Sequence, residues 1–89
     1  MMTTRATNEE IGQRIGLGHS GVSRIRSGDR FPSLAAMRRI ERAYGWKIGD
    51  QIAAREKGQF EYAHEFDRRV NAAAAKEAKR ERTAKSKAS

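Results

Sequence analysis

The sequence predicts an all-α protein, a small bundle of about four short helices followed by a longer C-terminal helix. Three observations predict it. Alanine, arginine, glutamate and lysine dominate, β-branched residues are sparse and there is a single proline, a balance that favours helix. Apolar residues recur three and four positions apart, the period of one buried helical face. Glycines at positions 16, 28, 45 and 58 interrupt that period at intervals suited to short helices.

Residues 1–6 are short and polar and are expected to fray. Thr7-Asn8-Glu9-Glu10 reads as a capping box, in which the Thr7 hydroxyl and the Glu10 carboxylate satisfy free backbone donors reciprocally. Ile11 and Ile15 follow one turn apart on the buried face, and Gly16 stops this first helix by taking φ > 0. Leu17 plugs a tight turn and Gly18 serves as the next N-cap. The second helix runs from His19 to about Ser27, with Val22 and Ile25 inward, and Gly28-Asp29 ends it. Arg30-Phe31-Pro32 leads to Ser33, an N-cap before Leu34, Met37, Ile40 and Tyr44. These four form the inner stripe of an amphipathic helix whose wet side carries Arg38, Arg39, Glu41 and Arg42. Gly45 ends it, and Trp46 and Ile48 close the core. A fourth short helix, from about Gly49 to Glu56, would bury Ile52, and Gly58 marks a boundary. From about Phe60 to Arg82 the chain reads as one longer helix, with Phe66 and Val70 a turn apart beside Tyr62, Ala63, Ala73 and Ala74. The organisation expected is a functional unit over residues 1–58, a packing or dimerising helix over 59–78 and a basic, disordered tail over 79–89.

The 89 residues allow one small domain and a tail. A net charge of +8 points to a polyanionic partner, nucleic acid first. Residues 1–58 carry eleven Lys/Arg against six Asp/Glu, residues 59–75 two against three, and residues 76–89 six against two, so two basic regions flank a near-neutral one. Without cysteine there is neither a disulfide framework nor thiol chemistry. No apolar stretch suits a signal peptide or a membrane span, so a soluble, cytoplasmic protein with no membrane partner is expected. His19 and His64 lie far apart, and no His-Glu-x-x-His, phosphate loop or nucleophile elbow is present. No catalytic residue, metal site or cofactor is therefore expected. Glu61, Glu65 and Asp67 read as surface charges.

The informative stretch is Thr7 to Gly28. Two helices joined by a tight turn cross steeply, so their contact needs a small residue, and Gly12 is there. The turn needs an unstrained φ > 0, which Gly16 provides. Leu17 plugs the turn, while Ile11, Ile15, Val22 and Ile25 anchor the two helices inward. These seven positions agree across fifteen residues. The segment TNEEIGQRIGLGHSGVSRIRSGDRFPSLAAMRRIERAYGWKIGDQI, roughly residues 7–52, resembles the phage-repressor and Cro-like (XRE) helix-turn-helix family. The resemblance also takes in the Gly28 stop, the Pro32-Ser33 start of the next helix and the Gly-Trp-Lys-Ile ending.

That resemblance implies that the second helix lies in the major groove of double-stranded DNA, with its N-terminal residues at base edges. Carried over by position, the base-reading residues are His19, Ser20 and Arg24, with Ser23 a further one. Arg24 can donate twice to O6 and N7 of guanine. The residues implied to grip phosphate are Asn8 at the start of the first helix, Arg26, Ser27 and Arg30 around the end of the second, and Arg14. Arg38, Arg39 and Arg42 read as a solvated face. The implied function is a sequence-specific transcriptional regulator, a Cro-like or immunity-type repressor of phage or prophage, with no small-molecule ligand. The alternative is an antitoxin-type or other protein-interaction module that keeps a DNA-binding helix-turn-helix.

Three departures from the family carry expectations of their own. The family has a helix before the one that starts at Thr7, so either the C-terminal helix or a partner chain should cover the side left open. A homodimer through Tyr62, Phe66 and Val70 is one such arrangement. Gly21 inside the reading helix costs about 1 kcal/mol relative to alanine. It would admit a close backbone approach to DNA, or leave the helix to order on binding. Arg26 stands where the family is often acidic, which would raise the positive potential beside the groove.

Overall fold

In a computed structural model the backbone is described for residues 5–88 and the side chains for residues 5–78. The chain is all-helical: α1 (Asn8–Ile15), α2 (His19–Ser27), α3 (Leu34–Tyr44), α4 (Ile48–Lys57) and α5 (Gln59–Ala88). Their boundaries follow from local chemistry. The Thr7 hydroxyl accepts from Glu10 N at 3.1 Å, while no return bond from the Glu10 carboxylate is made, so the capping box is half formed. Gly16 closes α1 in the left-handed region at φ 71°, and its N–H and that of Leu17 both turn back to Gly12 O. Gly28 ends α2 in the same way at φ 85°. The Ser33 hydroxyl caps α3 by accepting from Ala36 N at 3.2 Å. Lys47 offers α4 no side-chain cap, and Glu41 of the preceding helix fills that role by accepting from Ile48 N at 2.7 Å.

α1 packs against both α2 and α3, and α5 lies along α2 and α4. One core joins Ile11, Ile15, Val22, Ile25, Met37, Ile40, Trp46, Phe66 and Val70. Tyr62 sits at its centre, 4.8 Å from the Trp46 ring and edge-on to Phe31 at 5.6 Å. Gln51 is 0% exposed and fully partnered: its Nε2 donates to Met37 O and Trp46 O, each at 2.8 Å, and its Oε1 accepts from Tyr62 Oη at 2.9 Å. Burial pushes the Tyr62 phenol well above its ordinary range, and the charge of Arg55 opposes this only in part. Among the described residues no helix is long and apolar enough to cross a membrane.

Four expectations are corrected. Ile52 is 42% exposed, because α4 turns Ile48, Gln51 and Ala54 inward instead. Leu34 is 54% exposed, since α3 meets the core from Ala36 onward. Ala6 does not fray: it is buried, its N–H donates to Asn71 Oδ1 at 2.9 Å and its carbonyl accepts from Arg26. The helical backbone of α5 runs through Ala88, in keeping with its alanine, lysine and arginine content; the side chains from residue 79 on lie outside the described residues. Tyr62, Phe66 and Val70 are internal at 0–1% exposure and would have to leave the core to meet a partner chain. It is α5 of the same chain that covers the flank of α2.

Candidate nucleic-acid interface

The helix pair α1–α2 is held by one close approach. A Cβ on Gly12 would collide with the Leu17 carbonyl oxygen and touch Val22, so only glycine lets the turn fold back onto α1. Val22 and Ile25 then face the core, and the opposite side of α2 is left to solvent. At about 100° per residue, His19, Ser20, Ser23, Arg24 and Ser27 fall on one arc of about 140°, and all five are exposed. Among the described residues, the side chains of His19, Ser20, Ser23 and Arg24 make no hydrogen bond or ion pair within the chain. Ser27 Oγ lies 3.1 Å from both Arg24 O and Asp29 Oδ2, which ties it to the helix end that Asp29 helps close. Arg30 is exposed on the following loop. Gly21 lies off the arc, half-buried, with its would-be Cβ at an ordinary 3.7 Å from Leu17 Cβ. It therefore does not open the outer face to a close backbone approach, and α2 is a complete helix through this glycine.

Beside this arc runs an open cleft edged by Arg5, Thr7, Asn8, Ser23 and Ser27. It lies at the N-terminus of α1, where Thr7 occupies the amides of Glu10 and Ile11 and leaves those of Asn8 and Glu9 to an incoming anion. Its floor is an ion pair. Arg26 Nε lies 2.8 Å and Nη2 2.6 Å from Asp67 Oδ1, while Nη1 donates to Ala6 O at 2.7 Å and to Asn8 Oδ1 at 3.0 Å. Asn71 joins the network, with its Oδ1 3.3 Å from Arg26 Nη2 and its Nδ2 donating to Asp67 Oδ2 at 3.1 Å.

The nine residues singled out in the sequence thus divide. His19, Ser20, Ser23, Arg24 and Ser27 share one face, Asn8 borders it and Arg30 follows it. Arg26 is corrected: its charge is matched by Asp67, so it neither grips phosphate freely nor raises the local potential as its sequence position suggested. Arg14 is corrected as well. It ion-pairs with Glu77, lies 5.8 Å from the Tyr44 ring and stands on the side of α1 away from α2. Sequence reading missed Arg5, which is exposed at the cleft and 3.9 Å from Asp67. No local pattern marks it, because its position depends on Asn71, far along the chain, holding Ala6.

Among the described residues no group of three His, Cys, Asp or Glu side chains could hold a metal ion. No protein-family model, curated protein or solved structure matches the chain.

Proposed function

We propose that this chain binds double-stranded DNA sequence-specifically as a Cro-like transcriptional regulator, presenting the outer face of α2 to the major groove. The observation that carries the reading is that face itself: an exposed arc of hydrogen-bonding side chains on a helix held from behind by Val22 and Ile25 and at its flank by Arg26. A helix held this way can enter a major groove with its first turns leading. Arg24 then reads guanine by a paired donation, and His19, Ser20 and Ser23 reach neighbouring edges. Phosphate is met by the Asn8 and Glu9 amides, the Asn8 side chain, Arg5 and Arg30, which set register without reading sequence. Occupying a promoter would block polymerase sterically.

Selection of bound duplexes from a random pool tests the reading, and it expects a preferred site. Arg24→Ala should then cost about 1–3 kcal/mol at that site and relax the preference at one base pair. An equal loss on every duplex would move Arg24 to phosphate. Selection that converges on no site would remove the regulator reading.

A further inference from the structure

The α2 face leaves the arginines of α3 unexplained. Arg38, Arg39 and Arg42 are all exposed. They fall within about 100° of one another around the helix. Like charges one turn apart oppose helix formation. The one carboxylate of α3, Glu41, is engaged at Ile48 N. Among the described residues none of the three arginines has an ion-pair partner. Arg39 and Arg42 meet Arg14 around a cleft floored by Gly16 and Ala43.

The Arg14 edge of this cation row faces away from α2. Gly12 is the residue of α1 that touches the turn and α2, and Arg14, two positions on, stands about 200° around the helix. α1, packed against α2, therefore lies between Arg14 and the α2 face. The partner of this row is polyanionic, and phosphate suits it better than an acidic protein. Guanidinium forks match phosphate oxygens two at a time, and the cleft lacks the large apolar anchor on which protein interfaces depend. Glu77, the partner of Arg14, also opens the strongly basic end of the chain, where residues 76–89 carry six Lys/Arg against two Asp/Glu.

We propose that Arg38, Arg39 and Arg42, with Arg14 at their edge, form a second, sequence-independent duplex-binding face, through which one chain holds two duplex segments at once. This rests on α2 being the first duplex face. The test uses the full chain and the double variant Arg38→Glu, Arg42→Glu. Arg39 is kept because its Nη1 lies 3.4 Å from Ile15 O, at the end of α1. A duplex carrying the selected site is immobilised and saturated with protein, and a labelled random-sequence duplex is then added. The native chain is expected to capture the second duplex in a salt-sensitive way. The double variant should capture at least about tenfold less, with a salt slope lower by about 2, while its affinity for the immobilised site stays within about threefold. If the glutamates unfold the chain, as melting would show, Arg38→Gln, Arg42→Gln takes their place with the same expectation.

Failure of the native chain to capture a second duplex overturns the proposal. So does equal capture by the variant, as a dimer bridging through two α2 faces would give. Retention on immobilised poly-glutamate without duplex capture would assign the row to an acidic protein and overturn it as well. The α2 reading fails separately, through absence of site preference or indifference to Arg24→Ala in binding of a single duplex.

Discussion

At Gly12 the space for a side chain is already taken by the Leu17 carbonyl, and at Gly21 a methyl group fits in ordinary contact with Leu17 Cβ at 3.7 Å. Two alanine substitutions nine residues apart in one motif should therefore act in opposite directions. Gly12→Ala is expected to destabilise by about 1–3 kcal/mol through overpacking against backbone. Gly21→Ala is expected to stabilise by about 0.5–1 kcal/mol by restoring helix propensity. Chemical denaturation of both variants checks this, and matching signs would mean that the turn does not press on α1. Gly12 was legible in the sequence because a tight turn between two periodic helices leaves one place for the close contact. Gln51 was not, because a polar residue beside Ile52 reads as the outer position. Only the carbonyls of Met37 and Trp46 and the phenol of Tyr62, brought in from α3, the loop after it and α5, make it an inner one. Its partner gives a pH test. The Tyr62 phenol titrates above its unfolded value near 10, so the folded state keeps a proton that the unfolded state releases. Its share of stability is full below about pH 10 and falls as pH rises beyond it. Tyr62→Phe should flatten that alkaline loss in denaturation curves taken across it, at the cost of leaving Gln51 Oε1 unpaired.

Helix α2 is fixed to its neighbours by one charged side chain more than by its two apolar anchors alone. Arg26 reaches α5 through Asp67 and Asn71, and the start of the chain through Ala6 O and Asn8 Oδ1. Removing it leaves Asp67 Oδ1, on a partly buried carboxylate, and the buried Ala6 carbonyl without their donor. The pair is only partly screened, with Arg26 15% and Asp67 31% exposed. A cost of about 2 kcal/mol is expected for Arg26→Ala, below that of a fully buried pair. A double-mutant cycle with Asp67→Ala should show coupling of about 1 kcal/mol or more, and additive losses would mean that the contact does not position α2. Helix starts and stops were readable because caps and left-handed glycines act within a few residues. The Arg26–Asp67 pair was not, because it spans 41 positions and joins helices whose packing no local pattern encodes. The same distance hid Arg5 and made Ala6 look free.

Across the whole molecule, the proposed function asks how a +8 chain would divide its charge between reading and gripping. The described core ends near Ala74, with Val70 its last fully buried residue. Residues 79–89 carry five Lys/Arg and one Glu, half of the net charge, with no apolar residue larger than alanine. Cutting the chain after Ala78 keeps Glu77 with Arg14 and leaves in place every buried side chain among the described residues. The truncated protein should therefore melt close to the full chain. Its duplex binding should lose salt dependence, by about 0.9 in the log–log slope for each phosphate contact removed. Affinity should fall by a similar factor on preferred and random duplexes, because charge alone reads no sequence. Titrations of both chains over a salt series measure this. An unchanged slope would leave the C-terminal cations outside the complex, and a change in the preferred site would mean that they touch bases. The balance matters for the site itself. With Arg26 matched by Asp67 and Arg14 by Glu77, α2 offers the groove few free cations of its own. On the proposed reading, attraction to the polyanion then comes mostly from other parts of the chain, which leaves discrimination to His19, Ser20, Ser23 and Arg24.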